Sequence, residues 1–203
     1  MAEHDGFFDG ETEYGQNELL RYYDNLFYSG IAVSSAGVMD YAVTASAGKV
    51  QVAKGFSILR GAWNYNDSTK SITVTPDINY DRIDRVVIRL DYSEKTCRIA
   101  LKPGTAASSP APPSLQQDSI RHELSLAQVR VTKAGQLTIT DERYREELCG
   151  AIRPKYFNEM GTMLKAFQAQ FDAWFEKQQS LGWRPIAIQV NEPADKVVSM
   201  IWI

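Results

Sequence analysis

Few side chains in this sequence have the types and spacing that chemistry requires. The two histidines, His4 and His122, are far apart, and neither belongs to an HExxH or HxH pattern. The two cysteines, Cys97 and Cys149, do not form the CxxC pair typical of zinc sites. The motifs GxSxG, GxxxxGK[S/T] and GxGxxG are also missing. The sequence therefore predicts no catalytic residue, no metal site and no cofactor, and we expect a protein that is not an enzyme.

The densest group of charged side chains lies in YDRIDRVVIRLD, residues 80–91, where aspartates alternate with arginines. Paired carboxylates are the catalytic apparatus of glycosidases. Alternating Asp and Arg on a strand more simply form cross-strand ion pairs on a solvated or interface face. We interpret this cluster as structural, and we expect DERYREE, residues 141–147, to be a solvated helical turn.

Three aromatic residues, Trp63, Tyr65 and Tyr80, lie in or near the segment GAWNYND and are candidate carbohydrate-binding residues. Their rings are suitable surfaces for stacking against sugars. Aromatic residues at strand ends also belong frequently to cores and interfaces, so the sequence leaves both interpretations open.

Composition and charge exclude several classes of partner. The 203-residue chain has a net charge of −3 and no block of Lys and Arg, so we expect no nucleic-acid partner. No window approaches eighteen consecutive apolar residues, which predicts no membrane insertion. The N-terminal segment MAEHDGFFDGETEYGQ lacks the pattern of a signal peptide. We therefore expect synthesis in the cytoplasm, with both cysteines reduced.

The hydrophobic pattern predicts mainly β structure with some helix. A short helix is expected from Asn17, a suitable N-cap, to Gly30. From residue 30 to about 140 the apolar period is two, as in KVQV, SITVT, DRVVIRLDY, TCRIAL, ELSLAQVRV and QLTIT. This alternating apolar pattern predicts an antiparallel β-sandwich and disfavours a parallel α/β fold. Residues 102–119, rich in Pro, Ser and Ala, predict a long connection between two strands.

A long helix is predicted from residue 155 to 181. Its large apolar residues are spaced by three and four in alternation, which is typical of a coiled coil. These candidate oligomerisation residues are Phe157, Met160, Leu164, Phe167, Phe171, Trp174 and Leu181, with the polar Gln178 in the same series. We expect a parallel homotrimer, and the alternative is a helix packed against its own β-domain.

The predicted fold is thus an antiparallel β-sandwich followed by a long coiled-coil helix and a short C-terminal β-hairpin. Its domains are an N-terminal arm with a short helix (1–29), a β-sandwich attachment domain (30–150), a helical trimerisation stalk (151–182) and a C-terminal β segment (183–203). The last contains PIAIQV and VVSMIWI around a polar turn.

The β-region resembles a segment of the tail and baseplate proteins of phages and prophages that infect Gram-positive bacteria. The pieces RIDRVV and LAQV, with the Pro-rich stretch between them, carry most of the likeness. The resemblance implies a structural virion protein of the upper baseplate or tail-fibre attachment region, assembled in the bacterial cytoplasm and located in the virion tail. It also implies self-association and docking to other tail proteins. The alternative function is a module that binds carbohydrate or a host receptor, with host cell-wall saccharide as the partner.

Overall fold

The computed structural model describes residues 15–156 and 158–180. The chain divides into two units, residues 1–156 and 157–203. We call them the β unit and the helical unit.

The β unit begins with helix α1 (Gln16–Leu26), and its described part continues with twelve strands. These are β1 (Phe27–Tyr28), β2 (Gly30–Ile31), β3 (Val43–Ser46), β4 (Lys49–Val52), β5 (Gly55–Leu59), β6 (Ala62–Asn66), β7 (Lys70–Thr73), β8 (Arg82–Asp91), β9 (Thr96–Lys102), β10 (Arg121–Val131), β11 (Leu137–Asp141) and β12 (Arg153–Pro154). The helical unit contains α2 (Asn158–Ser180).

Helix α1 is shorter than the sequence predicted. It begins after Gly15, whose N–H donates to the Glu18 carboxylate at 3.0 Å, so the expected N-cap, Asn17, lies inside the first turn. It ends at Leu26 because Phe27 adopts an extended backbone conformation and starts β1. Gly30 is a strand residue.

The strands form four small sheets, and all of their ladders are antiparallel in the described part of the chain. The largest has the order β11–β10–β8–β9, and the others are β2–β5–β6, β3–β4–β7 and β1–β12. The predicted sandwich is therefore wrong, because an alternating pattern identifies strands without specifying which strands pair. The mainly β character of residues 30–140 is confirmed.

The core forms between the inward faces of these sheets. On β8 the alternate residues Val86, Ile88 and Leu90 are buried, as their period of two predicts. On β10 the ladder with β8 shifts register between Ser125 and Ala127, and this bulge accounts for the change in phase of the apolar pattern. The other members of the core include Ile31, Tyr41, Val50, Val52, Leu59, Leu124, Leu126, Val129, Val131 and Cys149.

The predicted coiled coil is also wrong. Helix α2 is a single helix of 23 residues, and the described residues contain no second helix paired with it in a supercoil. Spacing by three and four is shared by any helix with one apolar stripe, so the pattern could not distinguish a coiled-coil seam from an uncovered face. The predicted C-terminal hairpin, residues 183–203, lies outside the described residues. Neither described helix is both long and apolar enough to cross a membrane.

Candidate functional site

The aspartates of the segment 80–91 are committed to structure. Asp84 is fully buried, accepts from Arg82 Nε at 2.9 Å and also accepts the backbone N–H of Gly104. Asp91 accepts from Arg121 Nε at 2.6 Å. Hydrogen bonding from Arg121 is the main reason why the pKa of Asp91 lies below its usual value. The pair of Asp91 with Arg121 joins β8 to β10, as the expected cross-strand ion pairs would, whereas Arg82 and Asp84 lie on the same strand. Both carboxylates are buried within the β unit, not on the solvated or interface face that we expected.

Glu123 on β10 joins three separate parts of the β unit. Its buried carboxylate accepts from Arg89 Nε at 2.8 Å, from Lys102 Nζ at 2.6 Å and from the backbone N–H of Gln116 at 2.8 Å. Burial raises the pKa of Glu123, but the hydrogen bonds from Lys102, Gln116 and Arg89 outweigh it and hold the pKa below its usual value. The bond from the backbone N–H of Gln116 anchors the long 103–120 connection. The three donors and the burial of the Glu123 carboxylate favour a structural role for this side chain.

The segment 141–147 forms turns, and two of its charged side chains, Glu142 and Arg143, are buried. Glu142 accepts from the Ser125 hydroxyl and from Gln128 Nε2. Arg143 pairs with Asp141 and donates to the carbonyl of Asp40 at 2.9 Å. The expected solvated helical turn is therefore wrong for Glu142 and Arg143, whose partners Ser125, Gln128 and Asp40 are distant in sequence. The later charges of the segment, residues 145–147, are solvent-exposed as expected.

His122 lies in a polar pocket of about 440 Å³ that is also lined by Arg60, Tyr92, Gln117, Asp118 and Ser119. Burial, and then the nearby Arg60 charge, lower the pKa of His122. Asp118 is already occupied by the backbone N–H groups of Ile120 and Arg121. Within the described ranges, no three His, Cys, Asp or Glu side chains are placed to hold a metal ion.

The most distinctive surface of the β unit is a groove of about 390 Å³, which we call the aromatic groove. Its lining residues are Tyr23, Phe56, Ile58, Gly61, Trp63 and Tyr65. The antiparallel register places Phe56 opposite Tyr65 and Ile58 opposite Trp63, so these four side chains share one face of the β2–β5–β6 sheet. Trp63 and Tyr65 are each 65% exposed. A sheet face that contacts solvent normally carries polar side chains, so this one has the composition of a contact surface.

Helix α1 forms one side of the aromatic groove because Gly61 allows it to approach the turn between β5 and β6. Gly61 has φ +80°, and a Cβ atom there would lie 1.9 Å from the carbonyl oxygen of Leu20. An ion pair between Arg60 and Asp24, at 3.6 Å, joins the same turn to the helix. The close contact places Tyr23 against the sheet face.

The groove brings together two of the three predicted carbohydrate-binding residues. Tyr80 is exposed in the connection between β7 and β8 and does not line the groove. The lining side chains offer only two hydroxyl groups and one indole N–H as polar contacts. Saccharide hydroxyl groups need more hydrogen-bond partners than this, so the groove suits apolar side chains better.

Helix α2 carries the second apolar surface, which we call the aromatic helix face. Its members are Met163, Leu164, Phe167, Phe171, Trp174 and Phe175, all between 45% and 75% exposed. The Phe171 ring lies 5.7 Å from the Trp174 ring and stacks on the Phe175 ring at 6.2 Å, measured between centroids. The exposure is notable because isolated helices usually need an apolar face to be covered for stability.

Four of the predicted oligomerisation residues are therefore shown on one exposed face: Leu164, Phe167, Phe171 and Trp174. Phe157, Leu181 and the side chain of Met160 lie outside the described residues. Met163 and Phe175, which do not belong to the series spaced by three and four, widen the face. Their i, i+4 spacing from Phe167 and Phe171 places them beside it.

No protein-family model matches the chain, and no curated protein matches it. Among solved structures, it is similar to the gene 22 product of the Bacillus subtilis SPP1 phage, with 13% sequence identity and a TM-score of 0.35. The match covers 56% of this chain and 81% of that one. The chain is distantly similar to a phage protein. At this TM-score the likeness carries no inference about the role of the chain.

Proposed function

We propose that this chain is a structural, non-enzymatic component of a phage or phage-like tail, in the baseplate or tail-fibre attachment region. It self-associates through the aromatic helix face and docks onto other tail proteins. Its place is the virion tail, after assembly in the bacterial cytoplasm. The observation that carries the proposal is the exposure of six large apolar side chains on α2.

The energetics of that face favour an assembled form. An aromatic side chain buries roughly 200 Å² when fully covered, and each Å² is worth about 25 cal/mol. Phe167 is 69% exposed and Trp174 is 53% exposed, so covering each would contribute on the order of 3 kcal/mol. Six such side chains per copy would exceed the roughly 4–15 kcal/mol that association costs. We propose three copies, because bulky aromatic rings require more space than two helices leave between them.

The buried polar groups support a structural role. Asp84, Asp91 and Glu123 are each held by arginine or lysine. A catalytic acid or base needs a proton that substrate can reach, and these carboxylates are buried and paired within the fold. The tail assignment rests on the sequence resemblance of residues 30–150, above all on RIDRVV and LAQV.

The self-association is tested with a pair of matched double variants. Phe167→Asp with Phe171→Asp places two charges on the aromatic helix face. Ala169→Asp with Ala173→Asp places the same charges, also four residues apart, on the opposite side of α2. We expect the first variant to be monomeric by light scattering after size exclusion, and the second to keep the mass of the unmodified chain. Equal masses for both variants would refute self-association through this face.

The tail assignment needs its own experiment. Particles released from a bacterium that encodes the chain are purified and labelled with an antibody against the β unit, then viewed by electron microscopy. We expect label at the tail end of the particles. Tailed particles that lack the label, and lack the chain by mass spectrometry, would refute the assignment even if the chain self-associates.

A further inference from the structure

The aromatic groove is too small to be an interface between two folded surfaces by itself. Its three most prominent aromatic side chains, Tyr23, Trp63 and Tyr65, are 43%, 65% and 65% exposed. At roughly 200 Å² for each side chain, they leave only about 350 Å² to be covered. A stable interface buries about 800 Å² on each partner. The groove therefore fits a short peptide segment rather than a second copy of the chain.

The spacing of the two most exposed side chains fits a compact ring placed between them. Trp63 and Tyr65 lie two residues apart on β6, on the same face of the sheet. At about 3.3 Å per residue, their backbone positions are about 6.6 Å apart. This is about twice the distance of best contact between two carbon atoms, which is about 3.5 Å. A ring inserted between these side chains can therefore contact both of them, and the small ring of proline suits this space.

The polar groups of the groove fit a backbone that has acceptors and no donors. The Trp63 indole N–H can only donate, and the hydroxyls of Tyr23 and Tyr65 can donate as well. An ordinary extended segment carries one backbone N–H per residue, and each buried N–H needs an acceptor. Proline has a carbonyl but no N–H. A proline-rich segment can therefore cover the apolar rings and leave no donor without a partner.

We propose that the aromatic groove binds a proline-rich segment of another protein in the polyproline II conformation. A proline ring lies between Trp63 and Tyr65, Tyr23 covers it from the side of α1, and the neighbouring carbonyls accept from the indole and the hydroxyls. Such a segment is extended before it binds, so binding orders little of it and a small contact is sufficient. Aromatic-lined grooves are a recurring means of recognising proline-rich segments. The proposal rests on the β unit alone and depends neither on the aromatic helix face nor on the tail assignment.

Fluorine NMR of the full chain tests this binding. The four tryptophans are replaced by 5-fluorotryptophan, and the Trp63 signal is identified by its loss in Trp63→Phe. The Trp174 signal is identified in the same way and reports on the aromatic helix face. Three octapeptides are added in turn: one of L-proline, one of D-proline, and one of leucine alternating with serine. The D-proline peptide has the same composition and apolar area as the L-proline peptide but forms the mirror-image helix.

We expect L-octaproline to shift the Trp63 signal, with a Kd on the order of 1 mM or below, and to leave the Trp174 signal unchanged. The other two peptides should bind about tenfold more weakly or not at all, because neither offers the left-handed polyproline II helix. Equal affinity for the two proline peptides would reduce the effect to apolar adhesion and overturn the proposal. Tighter binding of the leucine peptide, no shift of Trp63, or a shift of Trp174 alone would also overturn it.

The matched variants are Tyr65→Ser and Tyr80→Ser, in which Trp63 remains the reporter. Each removes an exposed tyrosine, but Tyr80 lies outside the groove. We expect Tyr65→Ser to weaken the binding of L-octaproline about tenfold, because a central aromatic contact is lost, and Tyr80→Ser to leave it unchanged. Equal affinities of the two variants would overturn the placement of the segment in the groove.

Discussion

Replacing Glu123 with glutamine should destabilise the β unit more than any comparable change of a surface carboxylate. The substitution keeps the size of the side chain but removes the charge that Arg89 and Lys102 share, at 2.8 Å and 2.6 Å. The substitution also brings in an amide N–H₂ group, which is a hydrogen-bond donor. The groups that surround this position are donors too, so the amide N–H₂ finds no acceptor there. In the unmodified chain the backbone N–H of Gln116 donates to the Glu123 carboxylate. It loses this acceptor wherever the amide N–H₂ replaces the carboxylate oxygen.

The magnitude follows from the burial of the three charges. Breaking a buried ion pair by removing one partner costs about 3–5 kcal/mol. The side chains of Arg89 and Lys102 are 27% and 21% exposed, so water stabilises their charges after the carboxylate has been removed. We therefore expect the lower end, about 3 kcal/mol, at pH 7. The control is Glu147→Gln, which breaks a pair with Arg145 in which both side chains are more than half exposed, and it should cost less than about 1 kcal/mol.

Urea unfolding with a thiol-reactive probe measures both variants, because Cys149 is buried in the core of the β unit and reports its unfolding directly. The difference between Glu123→Gln and the unmodified chain should depend on pH in a defined direction. A carboxylate whose pKa is lowered by folding contributes stability above its unfolded pKa of about 4.3 and loses it as pH falls through the folded value. The difference should therefore be full at pH 7 and shrink below about pH 4. A Glu123→Gln variant as stable at pH 7 as Glu147→Gln would refute the reasoning.

Two further predictions concern the β unit. Gly61→Ala should destabilise it by about 3 kcal/mol or more, since both the positive φ and the contact with the Leu20 carbonyl oppose a Cβ atom. Gly37→Ala, at a similar φ of +76° in open space, should cost only about 1 kcal/mol, and equal costs in urea unfolding would argue against the close approach of α1. Burial raises the pKa of Cys97 and of Cys149 to about 12 each, so both thiols should resist labelling at pH 8 in the folded chain. Rapid labelling of Cys149 under conditions that do not unfold the chain would contradict its burial.

The sequence was most informative where one strand face is apolar. Val86, Ile88 and Leu90 were placed correctly because alternation directly reports a buried face. It was least informative about polar groups. The charged residues of segment 80–91 were expected on a solvated or interface face, but β8 lies in the middle of its sheet and carries buried residues on both faces.

The pairing of distant segments explains the remaining differences. Glu142 is held by Ser125 and Gln128, and no local pattern connects those positions. The division into four small sheets likewise depends on strand partners that a period of two does not encode. Two of the six residues that line the aromatic groove, Trp63 and Tyr65, were anticipated, but Tyr23 joins them only through the contact of α1 with Gly61.

The most direct test of the central claim is the mass of the full chain in solution, by light scattering across a range of concentrations. One copy has a mass of 22.8 kDa. We expect a mass near three times this value, with Phe167→Asp plus Phe171→Asp returning it to one copy. A single-copy mass for the unmodified chain at every concentration would refute the proposed self-association, because the aromatic helix face would then not bind other copies.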